Sequence, residues 1–203
     1  MLSAITLSLQ MQRMSFDLLD ALSIEVAVHN SNKAPVSVRF DTPAEYSIDV
    51  LRDGNILWSS AAAQTAPMAI PAHVRQFMPG PTVLSVYIWN ETTKDGASLT
   101  PGDYVVRARL LGEGNSAQAS MRVHFTAPTP ISALSSLHPG EEITIGGRLD
   151  EAKQRIDDGT ASILLTKKLP NAPDAAIAVR GYVTTSLNRE WVFFVERWAR
   201  LGH

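Results

Sequence analysis

Hydrophobic and polar residues alternate along much of the chain with the period of two that is typical of β-strands with one buried face. In the first such run, Ile5–Met11, each apolar residue is followed by a single polar one. The same pattern predicts strands over 22–28, 36–40, 46–50, 56–58, 83–89, 104–111, 119–125, 142–149, 161–165, 176–184 and 190–200. Many short strands joined by turns, with no long helical period, predict an all-β protein.

Three stretches depart from this alternation. Residues 59–78 are rich in alanine and show no clean period, which predicts a long surface excursion with one helical turn near 61–64. Residues 150–158 predict a short helical turn that ends just before a glycine. Gly146 and Gly147 lie inside a predicted strand, where glycine usually marks a bulge or a sharp bend at the corner of a barrel.

A proline-containing segment, Thr126–Pro130, divides the chain. Its two prolines in five residues favour a stiff, extended connection of the kind that separates domains. We therefore predict an immunoglobulin-like β-sandwich over 1–128 and a small OB-like β-barrel over 131–203. The glycine pair would bend the first strand of that barrel.

Composition narrows the classes of function. The chain has 203 residues, of which 45% are hydrophobic and 19% charged, so a folded core is expected rather than disorder. A formal net charge of −2 argues against strong non-specific binding to nucleic acid. The absence of cysteine excludes disulfides, thiol nucleophiles and thiolate metal sites. No signal segment or membrane span is evident, which fits a cytoplasmic protein and equally an exported one whose signal has been removed.

No catalytic or cofactor-binding constellation is evident in the sequence. The five histidines are scattered, and there is no nucleophile-elbow, phosphate-loop or dinucleotide-binding motif. Asp157 and Asp158 precede Gly159, and this arrangement is typical of a solvated turn rather than a catalytic pair of carboxylates. We therefore expect a protein that is not an enzyme and that binds neither a metal nor a cofactor.

Turn and core motifs follow one another in a characteristic order between residues 22 and 125. They are Asn30–Asn32, Pro35–Phe40, Thr42 with Tyr46, Asp53-Gly54 with Leu57–Ser59, Pro79-Gly80, Tyr87 with Trp89, and Pro101–Tyr104. This order resembles the intracellular proteinase inhibitor family of the BsuPI type. The resemblance implies an immunoglobulin-like sandwich and the inhibition of a protease by a surface loop.

The residues that carry the resemblance also have structural explanations. Asn30 can hydrogen-bond within its own turn, and Tyr104 is expected to be buried with its hydroxyl bonded to a nearby loop. The chain departs from the family at the alanine-rich stretch 61–66 and at Pro81. The resemblance therefore implies the fold more strongly than it implies inhibition.

The leading functional hypothesis is a non-catalytic protein-binding module whose partner is another protein, with a protease as one candidate. A pre-organised loop that enters a protease cleft binds with little ordering cost. The predicted binding loop is 59–80. Its predicted apolar anchors are Met68, Ile70, Phe77 and Met78.

The alternative hypothesis places ligand binding on the C-terminal barrel, as OB-type recognition of single-stranded nucleic acid or glycan. The predicted ligand face combines aromatic and basic side chains: Arg148, Lys167, Arg180, Tyr182, Trp191 and Trp198. Nine basic and nine acidic residues over 131–203 disfavour nucleic acid. A structural accessory domain of a cell-envelope assembly is a third hypothesis.

Overall fold

A computed structural model of the chain describes residues 4–63, 72–89, 92–93, 96–138, 140–150, 152, 154–169, 176–185 and 190–201. The described strands are β1 Ile5–Met11, β2 Ser15–Asp17, β3 Leu22–Asn30, β4 Val36–Phe40, β5 Tyr46–Arg52, β6 Asn55–Ser59, β7 His73–Phe77, β8 Gly80–Trp89, β9 Gly102–Leu110, β10 Gln118–Thr126, β11 Glu142–Asp150, β12 Arg155–Asp157, β13 Ser162–Leu165, β14 Ala176–Thr185 and β15 Trp191–Arg200. A short helix, α1 Ser60–Ala63, and a 3₁₀ helix, Ile131–Ser136, complete the described elements.

The chain is all-β, and each strand predicted from the alternation is present. The helical turn predicted over 150–158 is wrong, because these residues contain β12, which pairs with β11 on one side and β13 on the other. The excursion predicted over 59–78 contains α1 close to the expected helical turn. It also contains the whole of the unpredicted strand β7, which pairs with β4.

Residue proximity divides the chain into two compact units, and neither is continuous in sequence. Unit 1 comprises Met1–Met14, Leu22–Trp89 and Asp103–Val123. Unit 2 comprises Ser15–Ala21, Asn90–Gly102 and His124–His203. The domain boundaries at 1–128 and 131–203 stay a prediction.

Unit 1 is a β-sandwich. One of its sheets has the strand order β1-β3-β8, another contains the order β10-β9-β5-β6, and β4 pairs with β7. On β3, Ile24, Val26 and Val28 are fully buried and alternate with half-buried or exposed residues. The alternation therefore marks the inward face of the sheet, whose burial supplies the hydrophobic stabilisation of the fold.

The sequence predicts structural roles for two side chains of unit 1, Asn30 and Tyr104. Asn30 accepts a hydrogen bond from the Asn32 N–H and donates to the carbonyls of Ala34 and Phe77, each at 2.9 Å, so its predicted turn role is confirmed. Tyr104 is 2% exposed, which confirms its burial. Its hydroxyl accepts a hydrogen bond at 3.1 Å from Arg52, a side chain of β5.

A fully buried carboxylate lies on β5. Asp49 is 0% exposed and accepts hydrogen bonds from Arg107 at 2.9 Å and from the Ser59 hydroxyl at 2.8 Å. Arg109 forms a second ion pair with it at 3.0 Å. The three donors compensate the desolvation of this charge, as a buried carboxylate requires.

Five strands of unit 2 close into a barrel in the order β11-β12-β13-β15-β14. β13 and β15 run parallel, and the other neighbouring pairs are antiparallel. Side chains that alternate inward along these strands fill the interior, including Ile145, Ile156 and Phe193, each 0% exposed. Ile131 and Leu134 of the 3₁₀ helix join the same hydrophobic core.

Glycine is required at two close approaches within the barrel. A side chain at Gly147 would overlap the backbone carbonyl of Asp157, so glycine at this position lets β12 approach β11. Gly181 lies at a register shift in β14, where an added Cβ would overlap the carbonyl oxygen of Phe194 on β15. Bulges of this kind bend the strands of small barrels.

Candidate functional site

The predicted binding loop is only partly described by the structure. Met68 and Ile70 lie outside the described residues. Phe77 lies on β7 and is 1% exposed, with the guanidinium of Arg75 over its ring at 5.3 Å. Met78 is 60% exposed. Of the two described anchors, Met78 is therefore the one whose side chain is exposed enough to contact a partner.

The six residues predicted for the barrel's ligand face do not share one surface. Arg148 is exposed beside Asp157, and the exposed Lys167 donates to the carbonyl of Glu196 at 3.4 Å. Tyr182 stacks on the neighbouring Phe194 ring, with 4.8 Å between the ring centroids. Trp198 is partly buried against the barrel core. Trp191 borders a groove.

Arg180 is buried and paired with carboxylates instead of being open to a ligand. Its side chain is 7% exposed and forms ion pairs with Asp20 at 2.5 Å, Glu142 at 3.3 Å and Asp17 at 3.5 Å. Arg180 lies on the outer side of the barrel, because its neighbour Val179 points into the core. Residues 15–21 cover it there, and no local sequence pattern around Arg180 reveals that cover.

The segment 15–21 is bound to the barrel by further contacts within unit 2. The Thr144 hydroxyl donates a hydrogen bond to the carbonyl of Leu18. Leu19 packs with Ala178 and Ala199 in a small buried cluster. This part of the outer barrel surface is therefore occupied by the chain itself.

A groove of about 490 Å³ opens between the 3₁₀ helix and the strands β12, β13 and β15. Its volume lies in the range of sites that hold small molecules or short segments. Apolar residues form its floor: Ile131, Leu134, Ala161, Ile163 and Val183. Polar and charged residues form its walls: Ser132, Ser135, Arg155, Ser162 and Glu190. The indole of Trp191, 51% exposed, borders it. We call this the barrel groove.

Arg155 is the residue of the barrel groove that sequence reasoning missed. Its Nε donates to the Ser162 hydroxyl at 3.3 Å, and an Nη donates to the Ser162 carbonyl at 3.1 Å. The stretch around it was interpreted as a helical turn, so the strand alternation of Arg155 with the inward Ile156 was overlooked. With only three residues, β12 is too short for its alternation to identify it from the sequence alone.

Asp158 positions the 3₁₀ helix that borders the groove. Its carboxylate accepts hydrogen bonds from the backbone N–H groups of Ile131 at 2.7 Å and Ala161 at 3.0 Å. It also accepts from the hydroxyl of Thr160 at 2.7 Å and its N–H at 2.8 Å. Burial raises the pKa of this carboxyl, but the hydrogen bonds outweigh it and hold the pKa at about 2, below the ordinary 3.8.

Protonation of Asp158 should loosen the 3₁₀ helix in acid. Because its pKa is depressed in the folded state, its contribution to stability is present above the ordinary value of 3.8 and is lost as the pH falls towards about 2. We expect Asp158→Asn to lower the free energy of unfolding by about 1–2 kcal/mol at neutral pH. The difference from the unchanged chain should shrink between these pH values in urea titrations. A difference that stays constant down to the lower pH would contradict this role.

A second exposed apolar surface lies on unit 1. Val83, Val86 and Ile88 on β8 are 54%, 55% and 64% exposed. β8 is a terminal strand of its sheet, and such strands can accept another strand. Val86 also borders a cavity of about 290 Å³, smaller than the barrel groove, whose polar lining includes Gln10, Gln12 and Glu25.

Two further properties concern only the described part of the chain. No helix there is both long and apolar enough to span a membrane. No cluster of three or more histidine, aspartate or glutamate side chains is placed there to hold a metal ion.

Comparisons with known proteins identify no family. No protein-family model matches the chain, and no curated protein matches it either. Among solved structures, the chain is similar to a sporulation control protein from Bacillus subtilis, at 11% identity and a TM-score of 0.43, over 89% of this chain and 68% of that one. It is similar to a CARDB domain from Pyrococcus furiosus in complex with di-metal ions, at 14% identity and a TM-score of 0.36, over 60% of this chain and 92% of that one.

A third structural similarity is to a β-glucosidase from Erythrobacter marinus. The identity is 17% and the TM-score is 0.35, and the match covers 60% of this chain and 15% of the glucosidase. At these TM-scores the similarities carry no argument about function.

Proposed function

We propose that the chain is a non-catalytic protein-binding module that holds an extended segment of a partner protein in the barrel groove. The observation that carries the proposal is Trp191, an indole 51% exposed at the border of a concave groove with an apolar floor. Tryptophan is enriched among the residues that dominate binding energy at protein interfaces. When a partner covers both the half-exposed indole and the apolar floor beside it, the apolar surface that is buried contributes favourable binding free energy.

The chemistry of the groove favours a protein segment over nucleic acid. Among the described residues that line it, the charged side chains are one arginine and one glutamate, so these residues present no excess of positive charge to a phosphate backbone. Serine hydroxyls on its walls can bond the main chain of an extended segment, while the floor takes apolar side chains. The groove also borders the second and third strands of the barrel, which is the surface that OB-folds use for ligands. That position supports our proposal that the barrel is OB-like.

A peptide library tests this function on the full-length chain. Peptides displayed on phage and selected on the intact protein should bind the unchanged chain. Binding should weaken by about 30-fold or more for Trp191→Ala, because truncation of a central aromatic anchor costs about 2 kcal/mol or more. Isothermal titration calorimetry with the selected peptides measures the change.

Phe194→Ala is the matched control. Phe194 lies on the same strand as Trp191 and is 40% exposed, but it stacks on Tyr182 outside the groove. Equal losses of peptide affinity for both variants would show that the groove is not the peptide-binding site. Selection of no peptide, together with tight binding of oligothymidine or of an oligosaccharide, would replace the protein partner by one of those ligands.

Protease inhibition is the second function that we propose, in line with the BsuPI resemblance of residues 22–125. The observation that favours it is Met78, 60% exposed directly after β7. An inhibitor would contact its target there and leave the barrel groove empty, so the position of the contact separates the two proposals.

A further inference from the structure

We infer that the barrel groove selects partner segments that carry one carboxylate beside an apolar residue, with Arg155 binding the carboxylate and Trp191 packing on the apolar side chain. The inference rests on the proposed function and specifies the chemistry of the partner. Both residues border the same groove.

Ser162 holds the guanidinium of Arg155 in place. The Nε–H and one Nη–H of Arg155 donate to the hydroxyl and the carbonyl of this one residue on β13, at 3.3 Å and 3.1 Å. Both acceptors are neutral, and no carboxylate of the described residues forms an ion pair with Arg155. The charge of Arg155 is therefore pre-oriented and not compensated by an acidic partner among the described residues.

An oriented guanidinium suits a carboxylate better than it suits a neutral group. Arginine forms short, charge-assisted hydrogen bonds with carboxylates, and its planar fork reduces the ordering cost of each bond. In the groove the bond would form beside an indole and an apolar floor, where water screens it less than on an open surface. Such pairs fix the register of a bound segment.

Arg155 is the one basic side chain among the described residues that line the groove, so one carboxylate of a bound segment finds a counter-charge there. A second carboxylate would lose its hydration without gaining such a partner. The inference therefore describes a segment with a single acidic residue next to an apolar one. Polyacidic segments and the phosphate backbone of nucleic acid fall outside this description.

Selected peptides and their charge variants test the inference. Peptides recovered on the full-length chain should share an aspartate or glutamate adjacent to an apolar residue. Replacing that acidic residue by its amide should weaken binding about tenfold or more, the loss expected for a hydrogen bond between charged groups. Arg155→Gln should weaken the acidic peptide by a similar factor and leave the amide peptide nearly unchanged.

Arg155→Glu provides a sharper test, because selection on this variant should recover a basic residue at the same position. Lys168→Gln is the control, since Lys168 is an exposed cation of the same unit that does not border the groove. If Arg155→Gln also destabilises the barrel, the acidic and amide peptides still test the pair on the unchanged chain.

The outcomes separate this inference from the function on which it rests. Peptides that depend on Trp191 but show no acidic preference, and bind Arg155→Gln unchanged, would overturn the inference and leave the proposed function standing. Peptides that bind independently of Trp191 would overturn both. Joint dependence on the acidic residue and on Arg155 supports the inference.

Discussion

Replacing Asp20 by alanine is expected to lower the free energy of unfolding by about 3–5 kcal/mol, the cost of leaving a buried charge without its partner. Asp20 is 3% exposed and lies 2.5 Å from a guanidinium nitrogen of Arg180, the closest of that residue's three ion pairs. Without it, the buried guanidinium of Arg180 loses its one buried counter-charge among the described residues and keeps only the more exposed carboxylates of Asp17 and Glu142. Urea unfolding of the full-length chain, followed by circular dichroism, measures the change.

Two further variants show whether the burial of the Asp20–Arg180 ion pair is the reason for the expected loss of stability. Glu142→Gln removes an ion pair of the same arginine, but its side chain is 54% exposed, so the loss should stay within about 1 kcal/mol. Adding Arg180→Met to Asp20→Ala should restore much of the lost stability, because an apolar side chain of similar length needs no counter-charge. An Asp20→Ala effect no larger than that of Glu142→Gln would contradict the buried network.

The second large effect is expected at Asp49 in the sandwich. Asp49→Asn keeps the shape but removes a fully buried charge that the partly exposed Arg107 and Arg109 share, at 2.9 Å and 3.0 Å. Two neighbouring guanidinium groups would then face each other without a counter-ion. We expect a loss of about 3 kcal/mol or more in the same unfolding experiment.

Asp41 is the matched control for this substitution. It forms an ion pair with Arg39 at 3.3 Å, but its side chain is 64% exposed and Arg39 is 59% exposed. Asp41→Asn should therefore change stability by no more than about 0.5–1 kcal/mol. Losses of the same size for both aspartates would show that the burial of Asp49 contributes nothing.

Strand length decided how much of the fold could be predicted. The nine-residue strands β3 and β9 contain several full periods of alternation, so the hydrophobic pattern alone identifies them. β2 and β12 have three residues each, too few to show a period, and they are strands because longer neighbours pair with them. β7 has five residues, and its inward side holds His73 and Arg75 beside the buried Phe77, so it has no continuous apolar face.

For the candidate site, the sequence predicts Trp191 but neither Arg155 nor the burial of Arg180. Trp191 follows from the aromatic run that opens the last strand. Arg155 was missed because its strand is short. Arg180 belongs to the predicted ligand face as one of the basic residues of the barrel, but residues 15–21, far away in sequence, cover it in the structure.

Mapping a bound peptide onto the full-length chain by amide chemical shifts tests most directly whether the partner binds at the barrel groove. A peptide from the library selection, titrated into the isotope-labelled protein, should shift resonances around the barrel groove, with the largest changes near Ser132, Arg155 and Trp191. Resonances near Met78 and along β8 should stay in place. Changes concentrated at Met78 or on β8, with the groove unaffected, would contradict the assignment of partner binding to the barrel.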